Sequence, residues 1–243
     1  MMQPDYTSPD GRIRFYNCSY EELFKMGTTW DLAIVDPEYG ISIENSGTHF
    51  KKYETKGWDS KIPTKGYFEE LKRVSKNQII WGGNYFLDYL NNTKCMIVWD
   101  KKIAEKMSFA MCEIAWTSLN KGAKIYSKIA AQNDRIHPTQ KPVKLYRWLL
   151  KNYAKPNQSI IDTHGGSMSH AIAVHYINIA LDMNLTLDIC EIDTDYFNDA
   201  VKRFRTHLKR QRTQFGLNLS QDKSKYLEKQ KPQFELTNKT KHK

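Results

Sequence analysis

The segment SIIDTHGGS, residues 159–167, joins a short apolar run to a glycine-containing turn, and a stretch of helical character at residues 168–180 follows it. A strand, a glycine turn and a helix start in this order form one corner of an α/β unit. Glycines let a ligand approach the backbone closely, and the N-terminus of a helix favours polar or anionic groups. The segment therefore predicts a strand followed by a binding turn.

Apolar runs of strand length recur along the chain, and several are apolar throughout, as in strands covered on both faces. They lie at residues 32–35, 78–81, 96–99, 159–161 and 185–190. Between them, residues 143–153 and 196–208 each place their apolar side chains on one helical stripe. Strands that alternate with helices predict an α/β fold, with a doubly wound and mainly parallel sheet.

The chain of 243 residues carries a net charge of +10, and the excess lies in its C-terminal part. From Lys202 onward, 13 Lys and Arg residues stand against three acidic residues, so the preceding part is neutral overall. A basic tail suits contact with phosphates, although a solvated extension that aids solubility has the same composition. We predict a folded domain at residues 1–212 and a weakly ordered basic tail at residues 213–243.

Other classes of protein fit the sequence poorly. No run of 18 or more apolar residues occurs, so we expect no membrane span, and the polar residues 1–11 do not resemble a signal peptide. The four cysteines form no CxxC pair and have no histidine at metal-ligand spacing. We therefore expect buried thiols, no metal site and a cytoplasmic location.

The DPEY segment, residues 36–39, directly follows the apolar run at residues 32–35. A strand that ends in Asp-Pro directs a carboxylate and an unpaired carbonyl into the crevice above a parallel sheet. Such acceptors can hold an exocyclic base amine, whose lone pair is otherwise delocalised into the ring. Asp36 and the Pro37 carbonyl would be the acceptors, and Tyr39 would stack on a base removed from its duplex. Taken alone, DPEY also fits a simple strand-ending turn.

Two further segments belong to the same pattern. Glu191 ends the apolar run at residues 185–190, 25 residues after Gly166. At a strand tip it can accept hydrogen bonds from both hydroxyls of a ribose. The HPTQKP segment, residues 137–142, begins the helix at Val143, where proline is tolerated. Considered separately, Glu191 also fits a surface carboxylate, and HPTQKP a helix entry.

Together these segments resemble the β-class amino-methyltransferases of bacterial restriction–modification systems and prophages, in the circularly permuted order that places the catalytic motif first. The matching motifs are DPPY at residues 36–39, the WGGNYF strand at 81–86, VWDK at 98–101, EIAWT at 113–117, HPTQKP at 137–142 and the cofactor loop at 162–168. The resemblance covers residues 10–210 and implies a Rossmann-like methyltransferase fold that uses S-adenosyl-L-methionine.

The resemblance also implies roles for individual residues. Asp36, Pro37 and Tyr39 would hold the target base, and Asn84 and Phe86 would border the adenine or target pocket. The residues implied to line the cofactor site are Asp162, Thr163, Gly165, Gly166, Glu191, Thr139, Gln140 and Lys141. Glu191 would bind the ribose. A sulfonium supplies its own leaving group, so neither a metal nor a protein nucleophile is required.

The leading hypothesis is a site-specific methyltransferase that acts on adenine N6 in a base flipped out of double-stranded DNA, in a bacterial or phage-infected cell. Within the family, Asp at the first motif position favours adenine, but cytosine N4 is an alternative, as is the amine of an RNA base or a protein amide. Residues 117–135 form the expected target-recognition insert, helped by an active-site loop at residues 42–65. An insert this short suggests a short target, or help from a second subunit, as in a homodimer.

Two residues depart from the family pattern. Glu38 stands where the second proline of DPPY is expected, and Met168 stands where the last glycine of the cofactor loop is expected. Glu38 adds a carboxylate beside the pocket, and Met168 adds a side chain where backbone usually approaches a ligand. Either change can lower activity, so an inactive prophage relative that only binds DNA or cofactor is a further alternative.

Overall fold

The structure is a computed structural model that describes residues 2–41, 62–103, 110–129, 135–137 and 139–218, with side chains described as far as residue 213. Three predicted regions therefore lie partly outside the described residues: the active-site loop at 42–65, the target-recognition insert at 117–135 and the tail at 213–243.

The described residues form one nine-stranded sheet. Its strands are β1 (Tyr6–Thr7), β2 (Ile13–Tyr16), β3 (Leu32–Val35), β4 (Gln78–Trp81), β5 (Met96–Asp100), β6 (Cys112–Thr117), β7 (Lys124–Ser127), β8 (Ser159–Asp162) and β9 (Thr186–Cys190). Their spatial order is β1-β2-β9-β8-β3-β4-β6-β5-β7. The central run from β2 to β4 is parallel throughout, which confirms the predicted mainly parallel α/β sheet.

Helices alternate with the strands along the chain, and one helix follows the last strand. They are α1 (Tyr20–Phe24), α2 (Lys65–Val74), α3 (Val143–Tyr153), α4 (Ser169–Leu181) and α5 (Thr194–Asn218). The stripe predicted at residues 143–153 is α3 itself, which buries Leu145 and Leu149 and packs against α4.

The neighbouring strands β3 and β8 define a crevice. They pair in parallel, with Ala33 opposite Ile161, so their carboxyl ends reach the same edge of the sheet. After β3 the chain passes through α2 to β4 on one side, whereas after β8 it passes through α4 to β9 on the other. Ligands of doubly wound folds bind where the strand order reverses in this way. The segments that follow β3 and β8 therefore border one cleft.

The structure corrects several element boundaries. The predicted WGGNYF strand is wrong beyond Trp81, because Gly82 has a φ of +70° and Gly83–Tyr85 forms a 3-10 turn. Lys65, predicted as the end of a loop, is the first residue of α2. The predicted recognition insert contains β7, which pairs with β5 in the main sheet. β2, β6 and β7 were not predicted because polar residues interrupt their short apolar runs.

The chain divides into two compact units, Met1–Val201 and Lys202–Lys243, and the division falls within α5. It coincides with the residue at which the basic excess begins, while the predicted boundary after residue 212 stays a prediction. In the part of the chain that the structure describes, no helix combines the length and apolar character needed to cross a membrane. Within the same residues, no three His, Cys, Asp or Glu side chains are grouped to hold a metal ion.

Candidate active site

Asp36 is the first residue beyond β3, and both of its carboxylate oxygens have partners. Oδ1 accepts a 2.6 Å hydrogen bond from the Tyr39 hydroxyl. Oδ2 lies 2.5 Å from Lys141 Nζ. Burial raises the pKa of the Asp36 carboxyl, and the Lys141 charge opposes that rise. The ability of Asp36 to act as an ionised acceptor therefore depends on the cation beside it.

Lys141 belongs to a chain of four charged side chains in which each contacts the next, in the order Asp36, Lys141, Glu113 and Lys101. Its side chain is 3% exposed, and its Nζ also lies 2.9 Å from Glu113 Oε2. Glu113 Oε1 lies 2.7 Å from Lys101 Nζ. Burial lowers the pKa of Lys141, but the carboxylates of Asp36 and Glu113 raise it by more. Burial also works to raise the pKa of Glu113, which the two ammonium groups hold at about 2. With two cations and two anions, the chain is neutral overall.

The Tyr39 ring is fixed by the WGGNYF segment. It stacks on Tyr85, with ring centroids 5.1 Å apart and planes 18° apart, and it meets Phe86 edge-on at 6.2 Å. Gly82 has a φ of +70° and passes so close to Tyr39 that an added Cβ would collide with the ring. Gly82 is therefore required both for its backbone conformation and for this close approach.

Asn84 and Phe86, the two residues predicted to border the target pocket, differ in their surroundings. Phe86 is fully buried and packs on Phe68, with centroids 5.1 Å apart, so it supports Tyr39 from the core. Asn84 is exposed on the 3-10 turn. Tyr85, between them, is 41% exposed and covers Tyr39. Within the WGGNYF segment, the residue that stacks on Tyr39 is therefore Tyr85, whereas Asn84 is exposed.

The glycine turn beyond β8 packs against the end of β9. The Gly165 amide donates to the Cys190 carbonyl at 2.8 Å, and the Gly166 amide donates to Glu191 Oε2 at 2.7 Å. The other oxygen of Glu191, Oε1, accepts from the Asp193 amide at 2.9 Å. Burial raises the pKa of Glu191, and these two amides work against that rise. The predicted turn and the predicted ribose carboxylate are thus in direct contact.

Met168, where the family pattern expects glycine, directly precedes α4. It has a φ of +51°, in the left-handed region that residues with a side chain rarely adopt, and its side chain is completely buried. A glycine would adopt this φ without strain. The backbone therefore keeps the conformation that the missing glycine would favour.

Asp162 and Thr163 are buried beneath the turn. Asp162 Oδ2 lies 3.0 Å from His170 Nδ1, and Oδ1 accepts from the His164 amide at 3.2 Å. Thr163 Oγ1 lies 2.7 Å from the Tyr67 hydroxyl of α2. Both side chains therefore tie the turn to neighbouring helices.

A direct contact joins the DPEY segment to the glycine turn. Glu38 Oε2 lies 3.3 Å from His164 Nε2. Burial lowers the pKa of His164, but the carboxylates of Glu38, Asp162 and Glu191 together raise it by more, with Glu38 contributing most, so the net direction is upward. Glu38, which departs from the family pattern, therefore has a partner in the other half of the candidate site.

The HPTQKP segment lies against both halves of the candidate site, the glycine turn and the DPEY segment. A Cβ added to Gly166 would lie 3.7 Å from the ring of His137, and Lys141 Nζ reaches Asp36. Burial lowers the pKa of His137 to about 4. Thr139 Oγ1 lies 3.1 Å from His137 Nδ1, and Gln140 Oε1 accepts from the Ile136 amide at 3.0 Å. Thr139 and Gln140 thus shape this segment, while its ends contact the glycine turn and the DPEY segment.

Comparison with known proteins places this arrangement in a family. The pattern of the DNA methylase family, N6_N4_Mtase, matches residues 76–202, more than half of the chain. The chain belongs to the DNA methylase family. The predicted resemblance is thereby confirmed, and the chain is a member of the DNA amino-methyltransferases, which act on adenine N6 or cytosine N4. No curated protein sequence matches it.

Several solved structures share the fold of this DNA methylase. M1.HpyAVI in complex with SAM is 15% identical, with a TM-score of 0.54 over 79% of this chain and 98% of that one. PvuII DNA methyltransferase (cytosine-N4-specific) is 12% identical, with a TM-score of 0.57 over 83% and 89%. TTHA0409 from Thermus thermophilus, complexed with S-adenosyl-L-methionine, is 13% identical, with a TM-score of 0.50 over 80% and 93%. These matches establish the Rossmann-like methyltransferase fold.

Sequence reasoning missed three charged residues of this DNA methylase site. Glu113 and Lys101 lie in the EIAWT and VWDK motifs, which were noted only as family matches, and His164 lies in the cofactor loop. For Glu113 the signal was a charged residue within a largely apolar strand, because such a charge needs a partner when it is buried.

Proposed function

We propose that this DNA methylase transfers the methyl group of S-adenosyl-L-methionine to N6 of an adenine flipped out of double-stranded DNA. The observation that supports it most is the contact between Glu38 and His164, which joins the segment of the base-binding candidates to the cofactor turn. An amine held at Asp36 and a ligand held at the turn would then share one crevice, as methyl transfer requires.

The residues beside the turn fit S-adenosyl-L-methionine. Glu191 is ionisable and holds two backbone amides, which leaves lone pairs of its carboxylate for the two hydroxyls of a ribose. Gly165 and Gly166 offer backbone without side chains, next to the first turn of α4. We assign the cofactor site to these residues, with His137 packed over Gly166. When bound, the cofactor supplies an electrophilic methyl group on a sulfonium.

The DPEY residues would hold the base. The Asp36 carboxylate and the Pro37 carbonyl accept the two N–H bonds of the amine, which turns its lone pair out of conjugation with the ring. Tyr39 stacks on the base and offsets the few kcal/mol needed to unstack it from the duplex. Lys141 favours the ionised form of Asp36, which burial opposes.

Adenine is preferred to cytosine on the strength of Asp at the first position of DPEY. Cytosine N4 is the second candidate, because the same two acceptors suit either amine and PvuII DNA methyltransferase, a cytosine-N4 enzyme, shares the fold. The basic tail from Lys202 suits contact with DNA phosphates. An inactive relative is the third candidate, for which Met168 in the left-handed region is the supporting observation.

One experiment distinguishes these candidates. The purified chain is incubated with unmethylated duplex DNA and isotopically labelled cofactor, and the digested nucleosides are identified by mass spectrometry. We expect labelled N6-methyl-2′-deoxyadenosine, whereas N4-methyl-2′-deoxycytidine would support the second candidate. No label in either nucleoside would refute the proposed activity.

Matched variants connect the product to the site. Asp36→Ala should lower transfer by about a hundredfold or more, because an oriented acceptor is lost. Asp199→Asn alters an exposed aspartate on α5 and should transfer at the wild-type rate. Asp36→Ala transfer at the wild-type rate would show that this carboxylate does not hold the amine.

A further inference from the structure

We propose that Glu113 is a positioning residue, which holds the Lys141 ammonium beside Asp36 and keeps it paired when the target amine takes the place of that ammonium. This inference rests on the proposed function, because it concerns how the base amine gains access to Asp36.

The need for such a residue follows from the occupancy of Asp36. Tyr39 donates to Oδ1 at 2.6 Å, and Lys141 Nζ contacts Oδ2 at 2.5 Å. An amine that enters the crevice must therefore displace or share a partner of Asp36. Lys141 is 3% exposed, so water cannot replace a lost carboxylate. A buried ammonium without a partner carries a large desolvation penalty.

Glu113 supplies a second carboxylate partner for Lys141, which offsets this desolvation penalty. Its Oε2 lies 2.9 Å from Lys141 Nζ, and Glu113 is the second residue of β6, opposite Trp99 of β5. The other oxygen of Glu113 lies 2.7 Å from the Nζ of Lys101, the residue that follows β5. Glu113 therefore has a second ionic partner that holds its carboxylate in place. Lys141 can move from Asp36 toward Glu113 and remain in an ion pair throughout.

Aromatic rings confine this movement. Lys141 Nζ lies 5.3 Å from the centroid of Trp81 and 5.6 Å from that of Tyr39. An ammonium is attracted to the faces of such rings, most strongly where it is desolvated. The Trp81 and Tyr39 rings therefore flank the short path between the two carboxylates. Lys141 favours the ionised form of Asp36 before the amine arrives, and Glu113 remains its ionic partner afterwards.

The test separates transfer from binding. Among the described residues, Glu113→Gln leaves Lys141 with Asp36 as its only carboxylate partner, so single-turnover transfer to unmethylated duplex DNA should fall by about tenfold or more. The Kd for S-adenosyl-L-methionine, measured by calorimetry, should change by less than about threefold. Glu113→Asp should recover part of the rate. The control is Glu70→Gln, an exposed glutamate that pairs with Arg73 on α2.

A double-variant cycle tests whether Glu113 acts through Lys141. The variant Lys141→Met is slow because Asp36 loses its cation, and adding Glu113→Gln to it should slow transfer no further. Losses that multiply, or a Glu113→Gln rate within about threefold of wild type, would overturn the inference. If Glu113→Gln does not fold, Lys101→Met must slow transfer a few-fold at unchanged cofactor Kd, and a wild-type rate there also overturns it.

The same data distinguish the two proposals. An active wild-type chain with an unaffected Glu113→Gln variant refutes the positioning role and leaves the proposed function standing. A wild-type chain that transfers no methyl group refutes the proposed function, and the positioning role is refuted with it.

Discussion

The two loops that border the crevice each carry one residue that departs from the family pattern, and they accommodate it differently. In the DPEY segment, Glu38 replaces a proline and gains an ionic partner, His164, at 3.3 Å. In the cofactor turn, Met168 replaces a glycine, keeps the left-handed φ of +51° and buries its side chain completely. One departure is stabilised by a contact with the other loop, and the other by the apolar core. A departure from a motif therefore has to be judged by its tertiary partners.

Of the substitutions at Gly165, Met168 and Glu38, the largest effect is expected at Gly165, where an added Cβ would meet backbone at close range. A Cβ there would lie 3.0 Å from the Cys190 carbonyl oxygen and 3.3 Å from Met168 Cγ. The methionine can adjust, but a carbonyl within β9 cannot move without disturbing the sheet. Gly165→Ala should therefore displace the turn and weaken cofactor binding by about tenfold or more, which is roughly 1.4 kcal/mol.

Calorimetric titration with S-adenosyl-L-methionine measures this effect. Gly122→Ala is the matched control, because a Cβ at Gly122 has nothing within 4 Å, and its Kd should equal that of wild type. If Gly165→Ala binds the cofactor as tightly as Gly122→Ala, the turn is not the cofactor site, and the contrast between the two loops loses its functional meaning.

A smaller effect is expected at Met168. Glycine would relieve about 1–2 kcal/mol of left-handed strain but would remove a buried side chain worth about 1.5–3 kcal/mol, before any cavity forms. Burial is the larger of the two, so Met168→Gly should lower the free energy of unfolding by about 1 kcal/mol. Thermal unfolding should show a Tm lower by roughly 2–4 °C for a chain of this size.

Asn157→Gly is the control for Met168→Gly, since Asn157 also has a positive φ, +64°, but is exposed. It relieves backbone strain without removing buried surface, and its Tm should not fall. An increase in Tm for Met168→Gly, accompanied by a large gain in methyl transfer, would instead mark Met168 as a damaging substitution and favour the inactive-relative candidate.

The sequence was sufficient for elements whose signal is local. Helix α3 begins and ends where its apolar stripe does, at Val143 and Tyr153, and β3 is the continuous apolar run before DPEY. Periodicity and turn residues determine such elements within a few positions of the chain. The same local order placed Asp36 and Gly165 at the ends of strands, and the parallel pairing of β3 with β8 brings those ends together.

The charge chain could not be predicted in this way. Glu113 and Lys101 are in contact because β5 and β6 pair antiparallel, with Trp99 opposite Glu113. Register between strands depends on tertiary packing that a single sequence does not reveal. The position of Lys141 near the cofactor stays a prediction, and for the same reason its ion pairs with Asp36 and Glu113 were not predicted. The motifs indicated that these residues are important, but only the fold showed which neighbours they contact.

The smallest effect is expected from the ion pair of Glu38 and His164 that joins the loops, and its size depends on pH. Glu38 raises the pKa of His164 above its ordinary 6.5, so the stability that comes from charged His164 is complete below 6.5 and is lost as pH rises through the raised value. Burial raises the pKa of Glu38, but His164 lowers it by more. The contribution of Glu38 is therefore complete above 4.5 and is lost as pH falls through the lowered value.

The ion pair is consequently strongest between about pH 5 and 6.5. Glu38→Gln should lower the free energy of unfolding there by roughly 0.5 kcal/mol, as for a partly exposed pair, and the loss should shrink toward pH 9. Urea unfolding at several pH values measures it, and His164→Gln should reproduce the loss without adding to it in the double variant. A loss that stays constant from pH 5 to 9 would mean that Glu38 acts by shape alone. In that case the two loops would not be joined by charge, and both departures would be accommodated by packing.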